Sequence, residues 1–280
     1  MDPSHGLYLF CVARSAVLAP AEFGLTADAP LRMVSRQGLQ AVVCEVLLAD
    51  WIDDAGEAHL QDLQWLGPRA VRHEWVIKQV MTTGGVLPLR FGCIFSGEES
   101  LGDWLERNHK AIGEYLDSIG NRQEWSLKGW LHTGRATAAL AATDSRLTEL
   151  PSAPGARYLR EQKLRQELLR SAREWAREAG KTAMAALWPE IASQRTLGIR
   201  AASAADREEE QAFNYALLVA PADLAALEAK VQRLDAELRP RGLELALSGP
   251  WPPFSFCPSL PEFVDDALAE TARYPALKLE

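Results

Sequence analysis

The sequence lacks the features that mark membrane and secreted proteins. Within its 280 residues, no apolar run reaches the roughly 18–20 residues that a membrane-spanning helix needs. The N-terminal stretch MDPSHGLYLFCVARSAV has no basic leader ahead of its short apolar run, so no signal peptide is predicted. We therefore expect a cytoplasmic protein that has no lipid membrane as a partner.

Cysteine is scarce and scattered along the chain. Cys11, Cys44, Cys93 and Cys257 include no C-x-x-C pair. This spacing argues against a zinc site, and a disulfide framework is unexpected in so large a cytoplasmic chain. Because each cysteine has apolar neighbours, we expect it to act as a small core residue.

The common catalytic and phosphate-binding motifs are missing. The chain contains neither G-x-G-x-x-G nor G-x-S-x-G. The G-K-T tripeptide at 180–182 resembles the end of a P-loop, but Trp175 occupies the place of its first glycine. The H-E pair at 73–74 begins like a zinc-protease helix, but Ile77 stands where the second histidine is required. We expect a protein that is not an enzyme and has neither a metal nor a cofactor.

The charge balance is acidic, with one basic exception. The 38 acidic residues outnumber the 30 basic ones and give a net charge of −8. This surface would repel phosphate backbones, so no nucleic-acid partner is expected. The predicted helix over 157–181 instead carries eight basic and four acidic side chains. It is either a solvated face with internal ion pairs or a docking surface for an acidic partner.

The first half is predicted to be an α+β domain, residues 1–135. Apolar runs at 31–35 and 39–46, separated by a turn that contains Gly38, indicate a hairpin. A helix is predicted to start at Pro68, and one strand is predicted over 86–95. A second helix and a strand over 124–131 follow. This order resembles a modified ferredoxin-like domain, an antiparallel sheet with helices on one face.

The second half, residues 156–280, is predicted to be another α+β domain, reached through a linker at 136–155. It opens with a long helix over 156–191, whose apolar positions recur at helical spacing. A shorter helix begins at Pro221, and a strand over 243–247 leads into a segment rich in proline and aromatic residues.

Three stretches carry a resemblance to a known family. They are HEWVIKQVMTTGGVLPLRFGCIF at 73–95, GNRQEWSLK at 120–128 and SGPWPPFSF at 248–256. Together they resemble the signatures of the gas vesicle GvpL/GvpF family, in the expected order and over essentially the whole chain. The resemblance implies an accessory protein that binds the hydrophobic shell protein GvpA and other accessory Gvp proteins. Such binding would limit aggregation of shell subunits during vesicle nucleation and growth.

Two sets of site residues follow from these stretches. The first is a structural polar network of His73, Arg90, Glu124 and Lys128, since buried charges require partners; direct partner contact by these residues is the alternative. The second set is a candidate partner-binding group, with the C-terminal aromatic residues either exposed to a partner or packed against the first domain. Its members are Pro88, Phe91, Trp251, Phe254 and Phe256.

Pro88 also suggests a mechanism. Proline lacks an amide donor, so the strand that contains it is either an edge strand or carries a bulge. An edge strand offers unpaired backbone groups with which a strand of the shell protein would pair. The rival hypothesis is a ferredoxin-like regulatory module that senses a small molecule; ligand binding would then raise its thermal stability.

Overall fold

The computed structural model describes residues 4–17, 23–147, 153–199 and 209–260. The fold is α+β and contains two compact units. The first unit comprises the chain up to Gln123 together with the segment that begins at Trp251, and the second comprises Glu124–Pro250. This division differs from the predicted boundary at 136–155. The strand predicted over 124–131 pairs within the second sheet, and the C-terminal segment returns to the first unit.

The first unit contains an antiparallel sheet in the order β2-β3-β1-β4, with β5 also paired to β1. Its strands are β1 (His5–Ala13), β2 (Arg32–Arg36), β3 (Leu39–Leu47), β4 (Val86–Pro88) and β5 (Ile94–Phe95). Its helices are α1 (Asp53–Gln61), α2 (Leu63–Met81) and α3 (Glu98–Ile119). Helix α2 begins earlier than the predicted Pro68, because the Asp62 side chain accepts a hydrogen bond from the Gln64 amide and caps the helix.

The predicted hairpin is confirmed as β2 and β3. Arg36 pairs with Leu39 across a two-residue turn formed by Gln37 and Gly38. Both turn residues have positive φ, 47° and 79°, as a type I′ turn requires. The glycine that signals the turn in the sequence therefore also sets the register of the hairpin.

Helices cover the first sheet on both faces, whereas the sequence pattern predicted helices on one face. Tyr8 and Phe10 of β1 pack with α2 in one apolar cluster. Leu7 points to the opposite face, where its pair Phe95 contacts Trp104 of α3. Because β1 is buried on both sides, its sequence is a continuous apolar run and gives no sign of which side is covered.

The single strand predicted over 86–95 is interrupted. Pro88 is paired with Cys11 and Ile94 with Tyr8, so residues 89–93 face only two residues of β1. The extra residues form a bulge that is anchored by backbone bonds from Leu89 N to Phe10 O and from Leu9 N to Cys93 O. Gly92 adopts φ 90° within this bulge, a left-handed conformation that glycine tolerates without strain.

The second unit has strand order β7-β8-β6-β9. Its elements are β6 (Gln123–His132), α4 (Thr133–Ala141), α5 (Pro154–Leu187), β7 (Ser193–Thr196), β8 (Glu209–Val219), α6 (Leu224–Leu238) and β9 (Leu243–Trp251). Apart from the additional helix α4, the chain order βαββαβ is ferredoxin-like, an arrangement that the sequence predicted for the first half. The long helix is confirmed, and its apolar stripe packs on the sheet through residues such as Ala172, Ala176 and Leu187.

Candidate functional site

A buried histidine in the first unit anchors the bulge at residues 89–93. His73, on α2, lies with its Nε2 3.1 Å from the Leu89 carbonyl oxygen and its Nδ1 2.8 Å from the Tyr8 hydroxyl. The Gly92 amide donates to the same hydroxyl at 3.2 Å. A carbonyl only accepts, so Nε2 carries the proton, and the Tyr8 hydroxyl donates to Nδ1 while accepting from Gly92. We call these hydrogen-bonded groups of His73, Tyr8, Leu89 and Gly92 the bracket, and each of its polar groups has a hydrogen-bond partner.

Burial fixes the ionisation of the bracket. Desolvation lowers the pKa of His73 to about 4, partly opposed by its hydrogen bond to the Leu89 carbonyl. Burial also raises the pKa of Tyr8 well above its ordinary value. Both groups are therefore neutral near pH 7, and both nitrogens of His73 are engaged. This histidine holds the bulge in place and is not available as a general base.

Aromatic rings surround the bracket and hold Phe91 in place. The Phe91 ring lies 5.8 Å from Tyr8, 5.4 Å from Trp51 and 5.6 Å from His73. Phe10 stacks on the imidazole at 5.6 Å. Such contacts stabilise a core beyond the area they bury. Phe91, predicted as a partner-binding residue, is half-buried and packs into this cluster.

The structure changes the partners of the predicted polar network. His73 does have a structural place, but its hydrogen bonds go to Tyr8 and Leu89, and Arg90 is exposed at the tip of the bulge. Glu124 and Lys128 belong to the second unit, where Glu124 is buried and Lys128 half-buried. The four residues therefore do not form one network within either unit. The predicted network assumed that the charge of Arg90 is buried, but this side chain is exposed.

Sequence reasoning missed Tyr8. In the run LYLFCVA it is the single side chain with a hydroxyl, and a buried hydroxyl requires a partner. That requirement was a usable signal that β1 contributes to a polar site.

The C-terminal segment packs within the first unit, one of the two alternatives left open by the sequence. Trp251 lies under the Lys78 ammonium at 4.4 Å, and the Tyr115 hydroxyl donates to the Pro253 carbonyl at 3.1 Å. Phe256 is buried, while Trp251 and Phe254 keep 37% and 41% of their surface exposed. The segment is thus tied to α2 and α3 and still presents two aromatic rings to solvent.

This segment closes the edge of the sheet at β4. The Leu89–Phe10 bond makes residue 88 a position whose backbone groups point away from β1. Pro88 has no amide to offer there, and its carbonyl oxygen accepts from Cys257 Sγ at 3.7 Å. The sequence predicts either an edge strand or a bulge at Pro88. Among the described residues β4 ends the strand order, and the bulge follows it at residues 89–93. The edge itself is occupied by the protein's own C-terminal segment.

The opposite edge of the same sheet, β2, is the end of the strand order among the described residues. In a two-residue hairpin the residues that flank the turn form a hydrogen-bonded pair, here Arg36 and Leu39. Alternation then directs the amide and carbonyl groups of Met33 and Ser35 away from β3. Met33 is 42% exposed. This edge, defined by Met33 and Ser35, presents backbone donors and acceptors to solvent.

The thiols are protected by burial, which raises the pKa of Cys11, of Cys44 to about 11 and of Cys93 to about 12. Cys11 and Cys44 are buried, in agreement with the expectation of small core side chains, whereas Cys93 is half-buried. Within the described ranges, no helix is long and apolar enough to cross a membrane.

Comparisons with known proteins agree over nearly the whole chain. The family model described as gas vesicle synthesis protein GvpL/GvpF matches residues 6–258. Gas vesicle protein L1 of Halobacterium salinarum is 27% identical over 271 residues, 92% of each chain. Gas vesicle protein L of Streptomyces sp. (strain CB03234) is 27% identical over 261 residues, 89% of this chain and 91% of the relative.

A solved structure shows the same fold. The crystal structure of the gas vesicle protein GvpF from Anabaena sp. PCC7120 superimposes with a TM-score of 0.68 at 17% identity, covering 91% of this chain and 99% of that one. The family match spans both units, including β1, the bulge at 89–93 and the C-terminal segment. The chain therefore belongs to the gas vesicle GvpL/GvpF family, whose members serve in gas vesicle synthesis.

Proposed function

We propose that this protein is a non-catalytic assembly factor that binds the shell protein GvpA and other accessory Gvp proteins. Binding would limit aggregation of shell subunits while vesicles nucleate and grow in the cytoplasm. The observation that carries the proposal is the family match over residues 6–258. The first unit supports it, because both ring nitrogens of His73 are used in holding the bulge. In addition, no strand among the described residues pairs with the outer edge of β2.

The proposed contact is strand pairing at the β2 edge. The sequence predicts this contact near Pro88, but Pro88 has no amide donor and its carbonyl accepts from Cys257. At β2, Met33 and Ser35 supply two outward amides and two outward carbonyls. A strand of the shell protein added there would have its own aggregation-prone edge masked.

Two arginines stand at the ends of β2, Arg32 and Arg36. Arg32 is paired with Glu45 and Glu98, which compensate its charge. Arg36 is exposed at the turn end of the strand. A neutral or acidic strand added at this edge meets no charge repulsion from Arg36.

The test is co-expression of GvpA with three forms of the full chain: wild type, Met33→Pro and Met33→Ala. Proline at this outward position removes an edge donor without breaking a β2–β3 hydrogen bond. Alanine removes the side chain and keeps the amide. We expect wild type and Met33→Ala to co-purify with GvpA and raise its soluble fraction, and Met33→Pro to lose most of this effect while remaining folded by circular dichroism.

Two results would count against the proposal in different ways. A wild-type chain that neither co-purifies with GvpA nor raises its soluble fraction removes the assembly-factor proposal. Equal activity of Met33→Pro and Met33→Ala removes only the β2 contact. The rival sensing hypothesis instead requires a rise in thermal stability with a metabolite and no dependence on GvpA.

A further inference from the structure

The second sheet ends in a strand whose outer side is exposed. Among the described residues, β7 pairs with β8 alone and is the last strand of the order β7-β8-β6-β9. Its residues Gln194, Arg195 and Thr196 are all exposed. An edge strand with consecutive exposed residues is accessible to a further strand.

The hydrogen-bond pattern fixes which backbone groups of β7 point outward. The Leu197 amide donates to the Asn214 carbonyl at 2.9 Å, so these two residues form a hydrogen-bonded pair. Along antiparallel strands, such pairs alternate with pairs whose backbone groups point away from each other. Counted back along the register, Gln194 and Thr196 are the outward positions of β7. Their two amides and two carbonyls form a row that an added strand can use.

The opposite edge of the same sheet differs from β7. There the Leu245 amide of β9 donates to the Asp235 carboxylate of α6 at 2.8 Å, so this donor is used within the unit. Proline and charged side chains are common means of blocking an edge strand. β7 contains no proline and only one charged residue, Arg195. Both of its outward residues therefore keep an amide to donate.

Apolar side chains are exposed before and after β7 in the chain. Trp188 lies in the short helical turn that precedes the strand and is 55% exposed. Ile199 lies three residues after Thr196 and is 49% exposed. In recognition by strand addition, backbone hydrogen bonds supply affinity and side-chain contacts supply specificity. Trp188 and Ile199 are suited to such side-chain contacts.

The side chains of an added strand would alternate between two environments. Gln194 pairs with Leu217 and Thr196 with Tyr215, and both partners belong to the core cluster of the unit. Side chains of the added strand beside Gln194 and Thr196 lie on this core face, and those beside Arg195 lie on the opposite face. Apolar residues at every second position, with polar or acidic residues between them, suit this alternation.

We propose that β7 binds an extended segment of another protein as an added strand, in which apolar residues alternate with polar or acidic ones. The observation that carries the proposal is the row of outward backbone groups at Gln194 and Thr196 on an exposed edge. The proposal goes beyond the β2 contact, because it gives the chain a second strand-binding edge in the other unit. Two such edges would let one chain hold two segments at once.

A second copy of this chain is a poorer occupant of the edge. The register that uses both outward residues of each copy pairs Gln194 of one with Thr196 of the other. It therefore places Arg195 directly opposite Arg195 of the second copy, and like charges at opposite positions are destabilising. Among the described residues, no salt bridge compensates the charge of Arg195.

The experiment measures binding of a labelled peptide by fluorescence anisotropy to full chains that all carry Met33→Pro, which removes the β2 contact. The peptide alternates Val and Ser and is N-methylated at every second residue, so that one of its edges can pair and it does not aggregate. Gln194→Pro removes an outward amide without breaking a β7–β8 hydrogen bond, whereas Gln194→Ala keeps the amide. We expect Gln194→Pro to weaken binding about tenfold and Gln194→Ala to leave it unchanged. Thr196→Pro, at the other outward position, should act like Gln194→Pro.

The control peptide has the same sequence and is N-methylated at every residue, so it has no amide to donate. It should bind about tenfold more weakly, and equal binding of the two peptides would overturn the proposal in favour of apolar adhesion. Equal binding by folded Gln194→Pro and Gln194→Ala chains would also overturn it. A peptide that binds wild type but not the Met33→Pro chain would remove the β7 site and leave the β2 contact in place.

Sedimentation equilibrium of the otherwise wild-type chain tests the other occupant. Self-association that Gln194→Pro abolishes and Met33→Pro does not would assign the β7 edge to a second copy and overturn the proposed partner. We expect no self-association that depends on Gln194.

Discussion

The Tyr8 hydroxyl lies 2.8 Å from Nδ1 of His73, although 65 residues separate the two in the sequence. This hydrogen bond joins the central strand of the first sheet to α2. With the bonds to Leu89 and Gly92 it fixes the bulge that interrupts the strand predicted over 86–95. The family signature VLPLRFG therefore contains residues of this bulge, whose position is fixed by hydrogen bonds of the neutral His73 and of Tyr8.

Removal of the Tyr8 hydroxyl should destabilise the protein. Tyr8→Phe leaves the Gly92 amide and His73 Nδ1 without a partner in a buried site. We expect a loss of about 1–3 kcal/mol in the free energy of unfolding, the usual cost of an unsatisfied buried group. Urea denaturation measures it. Tyr158→Phe, at an exposed position, is the control and should change stability by less than about 0.5 kcal/mol.

Stability should fall with acid through His73. Its pKa is about 4 in the folded state and near 6.5 in the unfolded chain, so the unfolded state binds the proton first. The stabilisation is complete above pH 6.5 and is lost as the pH falls towards 4, on the order of 3 kcal/mol in all. Urea midpoints between pH 7.5 and 4.5 test this. His73→Gln should show a smaller slope, and an equal slope would contradict the assignment.

Gly180 should not tolerate alanine, although it lies inside a helix. A Cβ at this position would lie 2.5 Å from the Phe213 ring, within the core of the second unit. The clash should outweigh the ~1 kcal/mol gain in helix propensity and leave Gly180→Ala less stable by about 1–2 kcal/mol. Thermal unfolding measures the difference. Gly155→Ala is the matched control on α5, where a Cβ meets nothing within 4 Å, and it should be neutral or stabilising.

The buried thiols should be unreactive in the folded protein. Burial raises the pKa of Cys11, Cys44 and Cys93, so their thiolate populations at pH 8 are very small. We expect Ellman's reagent to modify these three residues only after urea is added, with peptide mapping used to separate them from Cys257. Modification of Cys11 and Cys44 within minutes in native buffer would contradict the packing of β1 and β3 described above.

Local signals account for what could be predicted. Gly38 predicted the hairpin, because a two-residue turn needs residues with positive φ and glycine adopts it readily. The apolar stripe of α5 predicted the length of this helix, because helical periodicity depends only on residues close together in the sequence. The family signatures are likewise contiguous strings. Pro88 indicated an edge strand or a bulge, because proline has no amide to donate to a neighbouring strand.

Non-local pairing explains the errors. The strand over 124–131 was assigned to the first sheet because it follows α3 directly, and consecutive elements are usually neighbours. It pairs in the second sheet instead. The sequence pattern did not predict helices on both faces of the first sheet. Because β1 is buried on both faces, apolar and polar residues do not alternate along it.

By itself, the sequence determined the family, the α+β class, the hairpin and the long helix, since each depends on residues close together in the chain. Only the tertiary structure decided that Tyr8 partners His73, that Cys257 closes the β4 edge and that β2 stays open. Those outcomes depend on strand order and register, which bring together groups separated by tens of residues. No local pattern encodes such distances.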